Sequence, residues 1–280
     1  MKKLMIILLC IPILANAQEQ QENGSGRLSI DGKPVSIVVD NVFGSVNVLG
    51  STANEVTYSV KKKLAADSKS ALQKGWDEIT MEVIKRNDSI LFFLKAPYIC
   101  SKWTGCSKGN NWDGGPEGYT FQFDVMLEVP SYADLHVSTV DRGSITIEKV
   151  SGELAAFHVN GEVTLRDAVE VTEARSVNGN VTVYYNSVPR SDGLFSSING
   201  KLRVFTAEGL NARVAAKSMN GQFYTSFAHE LIPPKLTKTV QKNGSKTSFR
   251  LDESYGIQIG KNGPLLNFET LNGDIFLRKL

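Results

Sequence analysis

Few side chains in this sequence could do chemistry. Cys100 and Cys106 stand in Cys100-Ser-Lys-Trp-Thr-Gly-Cys106. The gap between them is too long for a redox C-x-x-C pair. In an exported chain two cysteines this close read as a disulfide closing a small loop. Two cysteines alone make half a zinc site, and His136, His158 and His229 show no ligand spacing beside them, so no metal and no cofactor is expected. Gly-x-Ser-x-Gly, the phosphate-binding Gly-Lys-Ser/Thr and H-E-x-x-H are all missing. No carboxylate pair is marked as lying across a cleft. No catalytic residue is therefore assigned, and the chain reads as a non-enzyme.

Two surfaces could bind. The stretch 233–250 carries Lys235, Lys238, Lys242, Lys246 and Arg250 and no acid. On a protruding hairpin this excess could dock an anionic glycan, lipid headgroup or acidic partner; equally, the lysines could keep an exposed edge unpaired. The loop 98–119 gathers Tyr98, Trp103, Trp112 and Tyr119 with Asn110, Asn111, Asp113 and Glu117. Aromatics beside amides suit carbohydrate, while the spacing fits no EF-hand. The same tryptophans could simply cap a core. Asp88-Ser89-Ile90 matches a short O-glycosylation pattern and leaves that modification open.

A repeat must position these groups. Val159-Asn160-Gly161, Val177-Asn178-Gly179, Ile198-Asn199-Gly200, Met219-Asn220-Gly221 and Leu271-Asn272-Gly273 share one phrase, with degenerate copies at Gly44 and Gly143. From Gly143 on, the steps are 18, 18, 21, 21 and 52 residues. After each glycine apolar residues alternate: Val163/Leu165, Val181/Val183, Leu202/Val204. Before it the pairs Phe157/Val159, Arg175/Val177 and Phe195/Ser197 alternate less cleanly. Asn-Gly also marks hairpins. The even step and the repeated columns (His158, Ser176, Ser197, Ser218 and Thr270 three before the glycine) favour a coil over a meander. The expectation is an all-β, parallel β-helix-like solenoid of about seven coils. Its Asn side chains stack along the axis, its glycines supply the positive φ of a tight corner, and the copy at 268–277 closes the array. His158, in a Ser/Thr column, reads as a tolerated variant.

The ends and the composition bound the rest. Lys2 and Lys3, an apolar stretch over 4–14 and Ala15-Asn16-Ala17 make residues 1–17 a signal peptide, with Cys10 removed inside it. The stretch is too short to span a bilayer, and no later run is long enough. Residues 18–29 read as a flexible N-terminus and 30–280 as one β-repeat domain. Of 31 basic and 29 acidic residues, Lys2 and Lys3 leave with the signal, so the mature charge balances. That argues against a nucleic-acid partner. With Leu280 close behind the last repeat, no wall-sorting tail or separate sorting domain is expected. Insertions interrupt the repeat at about 51–130 and 226–265. The first holds strands at 55–62, 79–85, 90–95 and 119–129 (ended by Pro130) and a helix at 65–76. The second holds a hairpin, 236–242 with 245–251.

Glu128-Val129-Pro130, Leu135-His136-Val137, Gly143-Ser144-Ile145-Thr146-Ile147 and the Asn-Gly copies together resemble the putative adhesin domains of the DUF4097 type, related to head-GIN-type domains and common in Bacteroidota. The resemblance spans about residues 30–280. It implies a β-solenoid or sandwich-like repeat domain at or outside the cell envelope and carries no catalytic residue. The resulting reading is an exported, non-enzymatic binding or scaffolding protein, in the periplasm, on the outer surface or secreted, with a glycan or an envelope or surface protein as partner. The alternatives are a polysaccharide-active enzyme on a β-helix and a periplasmic partner in envelope-stress signalling.

Overall fold

The computed structural model describes residues 18–30, 35–100, 111–112, 116–232, 237–243, 246–252 and 255–280. Residues 1–17, expected to be a signal peptide, lie outside the described residues. The chain starts with β1 (Gln18–Ser29), β2 (Ser36–Asp40) and β3 (Val46–Ser51). The first insertion adds β4 (Glu55–Ala66), α1 (Lys69–Glu78), β5 (Thr80–Lys85), β6 (Ser89–Lys95), β7 (Ile99–Cys100), β8 (Asn111–Trp112) and β9 (Tyr119–Pro130). The repeats supply β10 (Asp134–Thr139), β11 (Ile145–Glu148), β12 (Glu153–His158), β13 (Val163–Ala168), β14 (Glu170–Ser176), β15 (Val181–Tyr185), β16 (Gly193–Asn199), β17 (Leu202–Thr206), β18 (Ala212–Asn220) and β19 (Phe223–Thr225). The second insertion gives β20 (Glu230–Ile232), β21 (Thr237–Asn243), β22 (Lys246–Asp252) and β23 (Tyr255–Ile259), and the chain ends in β24 (Leu265–Asn272) and β25 (Ile275–Lys279).

Two large sheets result. Sheet A runs β1-β4-β9-β3-β11-β13-β15-β17-β25-β19, and sheet B runs β20-β23-β18-β24-β16-β14-β12-β10-β2-β6-β5. Neither closes into a barrel. The strand before each repeat glycine lies in sheet B and the strand after it in sheet A. Neighbouring repeat strands are parallel and in register, as in Val163↔Val181 and Leu202↔Ile275. That excludes a hairpin meander for the repeat, whose neighbours would run antiparallel.

Period-two patterning makes the core. Val163, Leu165, Val181, Val183, Leu202, Val204, Ile275 and Leu277 of sheet A are fully buried. Each contributes roughly 1.5–3 kcal/mol relative to exposure. From sheet B the inward residues are Ala156/His158, Ala174/Ser176 and Phe195/Ser197. In the first two copies this is the opposite phase to the expected Phe157/Val159 and Arg175/Val177. The small hydroxyl column, and not the larger apolar one, faces inward. Phe195 and Phe268 stack at 4.9 Å where neighbouring strands offer only alanine.

The repeat order in space departs from the order in sequence. β24 lies between β16 and β18, and β25 between β17 and β19, parallel to both neighbours in each case. The Gly273 copy therefore does not close the array; it sits inside it, and the Gly221 copy stacks outside. The chain leaves β17, skips one layer to build β18 and β19, and returns through the second insertion to fill the gap.

The insertions extend the sheet ends. β9 joins β3 in parallel and carries β4 and then β1, both antiparallel. Residues 18–29 are thus a strand, although their polar sequence suggests flexibility; β1 is held by the backbone ladder on β4 and by Lys85 Nζ, which donates to the Ser29 carbonyl at 2.7 Å. The helix begins at Lys69 because the Ser68 hydroxyl accepts from Ala71 N–H, while Ala65 and Ala66 stay in β4 opposite Thr120 and Tyr119. Lys62 closes the other helix end. Its ammonium donates to the carbonyls of Trp76 (3.0 Å) and Ile79 (2.6 Å), and burial pulls its pKa down to about 8.

Candidate functional site

The corner between the two sheets is a set of ladders. Asn178 donates to Asn160 (2.8 Å), Asn199 to Asn178 (2.7 Å), Asn272 to Asn199 (2.7 Å) and Asn220 to Asn272 (2.7 Å). A second ladder ties each inward hydroxyl to a glycine carbonyl of the adjoining layer. Ser176 donates to Gly161 (2.8 Å), Ser197 to Gly179 (2.9 Å), Thr270 to Gly200 (3.2 Å) and Ser218 to Gly273 (3.0 Å). His158 takes this place with Nε2 donating to the Gly143 carbonyl at 3.0 Å. Its Nδ1 is buried without a partner, and burial pushes the imidazole below its usual range.

The glycines serve a different purpose from the expected one. Among the described glycines positive φ belongs to Gly44, Gly118, Gly209, Gly260 and Gly263, and not to Gly161, Gly179, Gly200, Gly221 or Gly273. A Cβ on Gly200 would stand 2.5 Å from the Gly179 carbonyl carbon, and one on Gly221 2.5 Å from that of Gly273. Only hydrogen fits, because successive backbones touch at this corner. The Asn side chains bond from layer to layer and the glycines let the backbones meet.

The surface with unused chemistry is the outer face of sheet A. Its outward positions change along the array from Thr146, Thr164 and Thr182 to Arg203, Phe276 and Tyr224. The adjacent row holds Glu148, Arg166, Tyr184, Phe205 and Arg278. Tyr184 and Phe205 stack at 4.8 Å with planes 6° apart, and Tyr224 and Phe276 at 5.1 Å and 11°. Arg166 lies 4.9 Å from the Tyr184 ring and Arg278 4.9 Å from the Phe276 ring. Tyr184 and Phe276 thus each have one face on a ring and the other beside a guanidinium. What these groups turn outward is ring edge, which is electropositive, and guanidinium N–H. Glu148 pairs with Arg166 (3.5 Å) and Asp274 with Lys201 (3.4 Å). Arg203 and Arg278 have no acidic partner among the described residues. Register places them diagonally on β17 and β25, on the order of 8 Å apart at Cα.

This face ends at β19, which pairs with β25 on one side only. Beside it lies a shallow cleft of about 540 Å³ lined by Phe223, Tyr224, Thr225, Ser226, His229 and Arg278, with no acid among them. A second groove, about 330 Å³, runs over sheet B along Val177, Ile198, Leu271 and Met219. The apolar residues two before the glycine are therefore outward, with Met219 70% exposed.

The surfaces singled out in the sequence lie elsewhere. β21 and β22 form the expected hairpin as a separate two-stranded sheet. It carries Lys238, Lys242, Lys246 and Arg250, whose side chains, like Lys235, lie outside the described residues. Cys100 and Trp112 fall on β7 and β8, which pair antiparallel. Cys106, Trp103 and the side chains of Cys100 and Trp112 are outside the described residues, and the disulfide with them. Tyr98 and Tyr119 are buried and share a hydroxyl hydrogen bond of 2.9 Å, which Tyr119 extends to Glu78 at 3.0 Å. They cap the core. The outer face of sheet A escaped the sequence reading, although its signal is present: aromatics at the polar phase of a clean alternation, in Tyr184, Phe205, Tyr224 and Phe276.

No family model and no curated protein matches the chain. Among solved structures it is similar to a putative cell adhesion protein from Clostridium sporogenes, at 11% identity and a TM-score of 0.41, over 93% of this chain and 100% of that one. A putative adhesin from Bacteroides fragilis matches at 10% identity and a TM-score of 0.38, over 92% and 97%. A putative lipid binding protein from Parabacteroides distasonis matches at 8% and 0.25, over 93% and 96%.

Proposed function

We propose that the chain is an exported, non-enzymatic binding protein of the cell envelope, built as a seven-coil β-solenoid, which engages its ligand with the outer face of sheet A. The observation that carries this is the stack of rings and guanidiniums at outward positions, where two arginines have no acidic partner among the described residues. A face that served only solubility would hold short polar residues, as the threonines do at the other end of the same row. The export signal and the resemblance to adhesin-type domains support the location. Of the two grooves, the cleft beside Tyr224 is lined by no carboxylate, and the groove on sheet B is lined by Glu269 with Arg175 and Lys217, the kind of lining the alternative of a polysaccharide-active enzyme would use. The test is retention of the purified mature chain on envelope preparations from a Bacteroidota host. Phe276→Ala with Tyr224→Ala should lower retention at least about tenfold with the fold intact by circular dichroism. Unchanged retention would remove the face from the function.

A further inference from the structure

We propose that the ligand of this face is an acidic polysaccharide, its carboxylate or sulfate groups held by Arg203 and Arg278 and one sugar seated in the cleft beside Tyr224. The inference rests on the face being the binding surface and names what it binds.

Three observations carry it. First, Tyr184 is covered by Phe205 and Arg166, and Phe276 by Tyr224 and Arg278, so the stacking platform left to a neutral sugar is reduced to the outer ring of each pair. The outward ring edges and N–H groups all favour negative charge. Second, Arg203 and Arg278 lie on neighbouring strands without an acidic partner among the described residues. The Phe276 ring already orients the Arg278 fork, and planar guanidinium forks suit carboxylate and sulfate oxygens. Third, the outward rings and arginines run across adjacent strands of sheet A at about 4.8 Å per strand. That arrangement fits an extended polymer with repeated charges better than a compact solute. The exposed apolar column of Ile198, Leu271 and Met219, which would suit acyl chains, is on the other sheet. An anionic lipid is the poorer fit.

The experiment measures binding of the mature chain to polygalacturonate, a sulfated glycosaminoglycan, neutral dextran, and phosphatidylglycerol vesicles at two salt concentrations. Binding to one or both acidic glycans, weakened by salt, with dextran and vesicles silent, is expected. Arg203→Gln with Arg278→Gln should cost at least about thirtyfold, whereas Arg213→Gln, an exposed arginine of sheet B, should leave affinity within about twofold. Equal loss in Arg213→Gln would reduce the effect to net charge and overturn the site. Binding to vesicles alone would make the ligand a lipid. Dextran binding that needs Phe276 and Tyr224 but ignores both arginines would overturn the acidic class while keeping the face. Envelope retention that survives the ring substitutions would sink the face itself.

Discussion

Gly200→Ala tests why glycine recurs at the corner. The added Cβ would lie 2.5 Å from the Gly179 carbonyl carbon and closer to its oxygen, below the 3.0 Å that real Cβ atoms keep. The oxygen is 2.0 Å away, so relief requires the two layers to part by about 1 Å at a point with backbone on both sides. Asn199 sits next to Gly200, and its bonds of 2.7 Å to Asn178 and from Asn272 would stretch, as would the 2.9 Å bond from Ser197 to the Gly179 carbonyl. At about 1 kcal/mol for each of three bonds, the loss is about 3 kcal/mol. For a chain of this size that lowers the melting midpoint by roughly 6–12 °C. The discriminating variant is Gly200→Asn. Were the glycine needed for positive φ, asparagine would be tolerated; with close approach as the cause, it fails as badly as alanine. Gly209→Asn is the internal control, since Gly209 has φ +83° and nothing within 4 Å of the place a Cβ would take. It should stay within about 1 kcal/mol of wild type. Urea and thermal midpoints of the three variants decide the matter. If Gly200→Asn behaves like Gly209→Asn, the close-approach argument is wrong.

The Asn ladder has a direction, because every rung donates toward Asn160, whose own amide N–H₂ bonds to nothing among the described residues. Asn160→Asp should therefore be neutral or slightly stabilising, while Asn199→Asp, which faces a carboxylate toward the Asn178 carbonyl oxygen, should cost about 1–2 kcal/mol in urea titration at pH 7. His158 predicts an acid-sensitive fold. Its folded pKa is depressed, so its contribution is intact above the unfolded value near 6.5 and falls as pH drops below it, by at most about 1.4 kcal/mol per pH unit until the folded value is reached. His158→Ser, copying Ser176, should remove that share of the slope between pH 6.5 and 5; an unchanged slope would place the acid sensitivity elsewhere. Deleting residues 264–280 should unfold far more than one layer, because β18 and β19 lose the strands that join them to β16 and β17. Hydrogen exchange showing protection kept in β18 would contradict the inserted position of β24.

The legible part of this fold is the part written in side-chain periodicity. Val163/Leu165 and Val181/Val183 reveal a strand with one buried face, and the repeated glycine reveals that such strands recur. Periodicity alone cannot give the phase before the glycine, because Val159 and Val177 are apolar yet outward while Ser176 and Ser197 are polar yet buried. Burial there is decided by glycine carbonyls that need donors, and a carbonyl of another layer leaves no mark on the local sequence. β1 is hidden for a related reason: its hydrogen bonds are backbone bonds, which Gln18 to Ser29 make without any apolar pattern. The position of β24 was beyond reach, since the Gly221 and Gly273 copies carry the same phrase and fit either layer by pattern alone. The same reasoning explains why the binding face was passed over. A search guided by unusual composition goes to insertions with tryptophan or lysine clusters. Tyr184, Phe205, Phe276, Arg203 and Arg278 are spread through ordinary repeat strands, and only stacking of the layers brings them onto one surface. In a repeat protein of this kind, a site built across layers is invisible within any one of them, and it is found by reading the outward columns across copies.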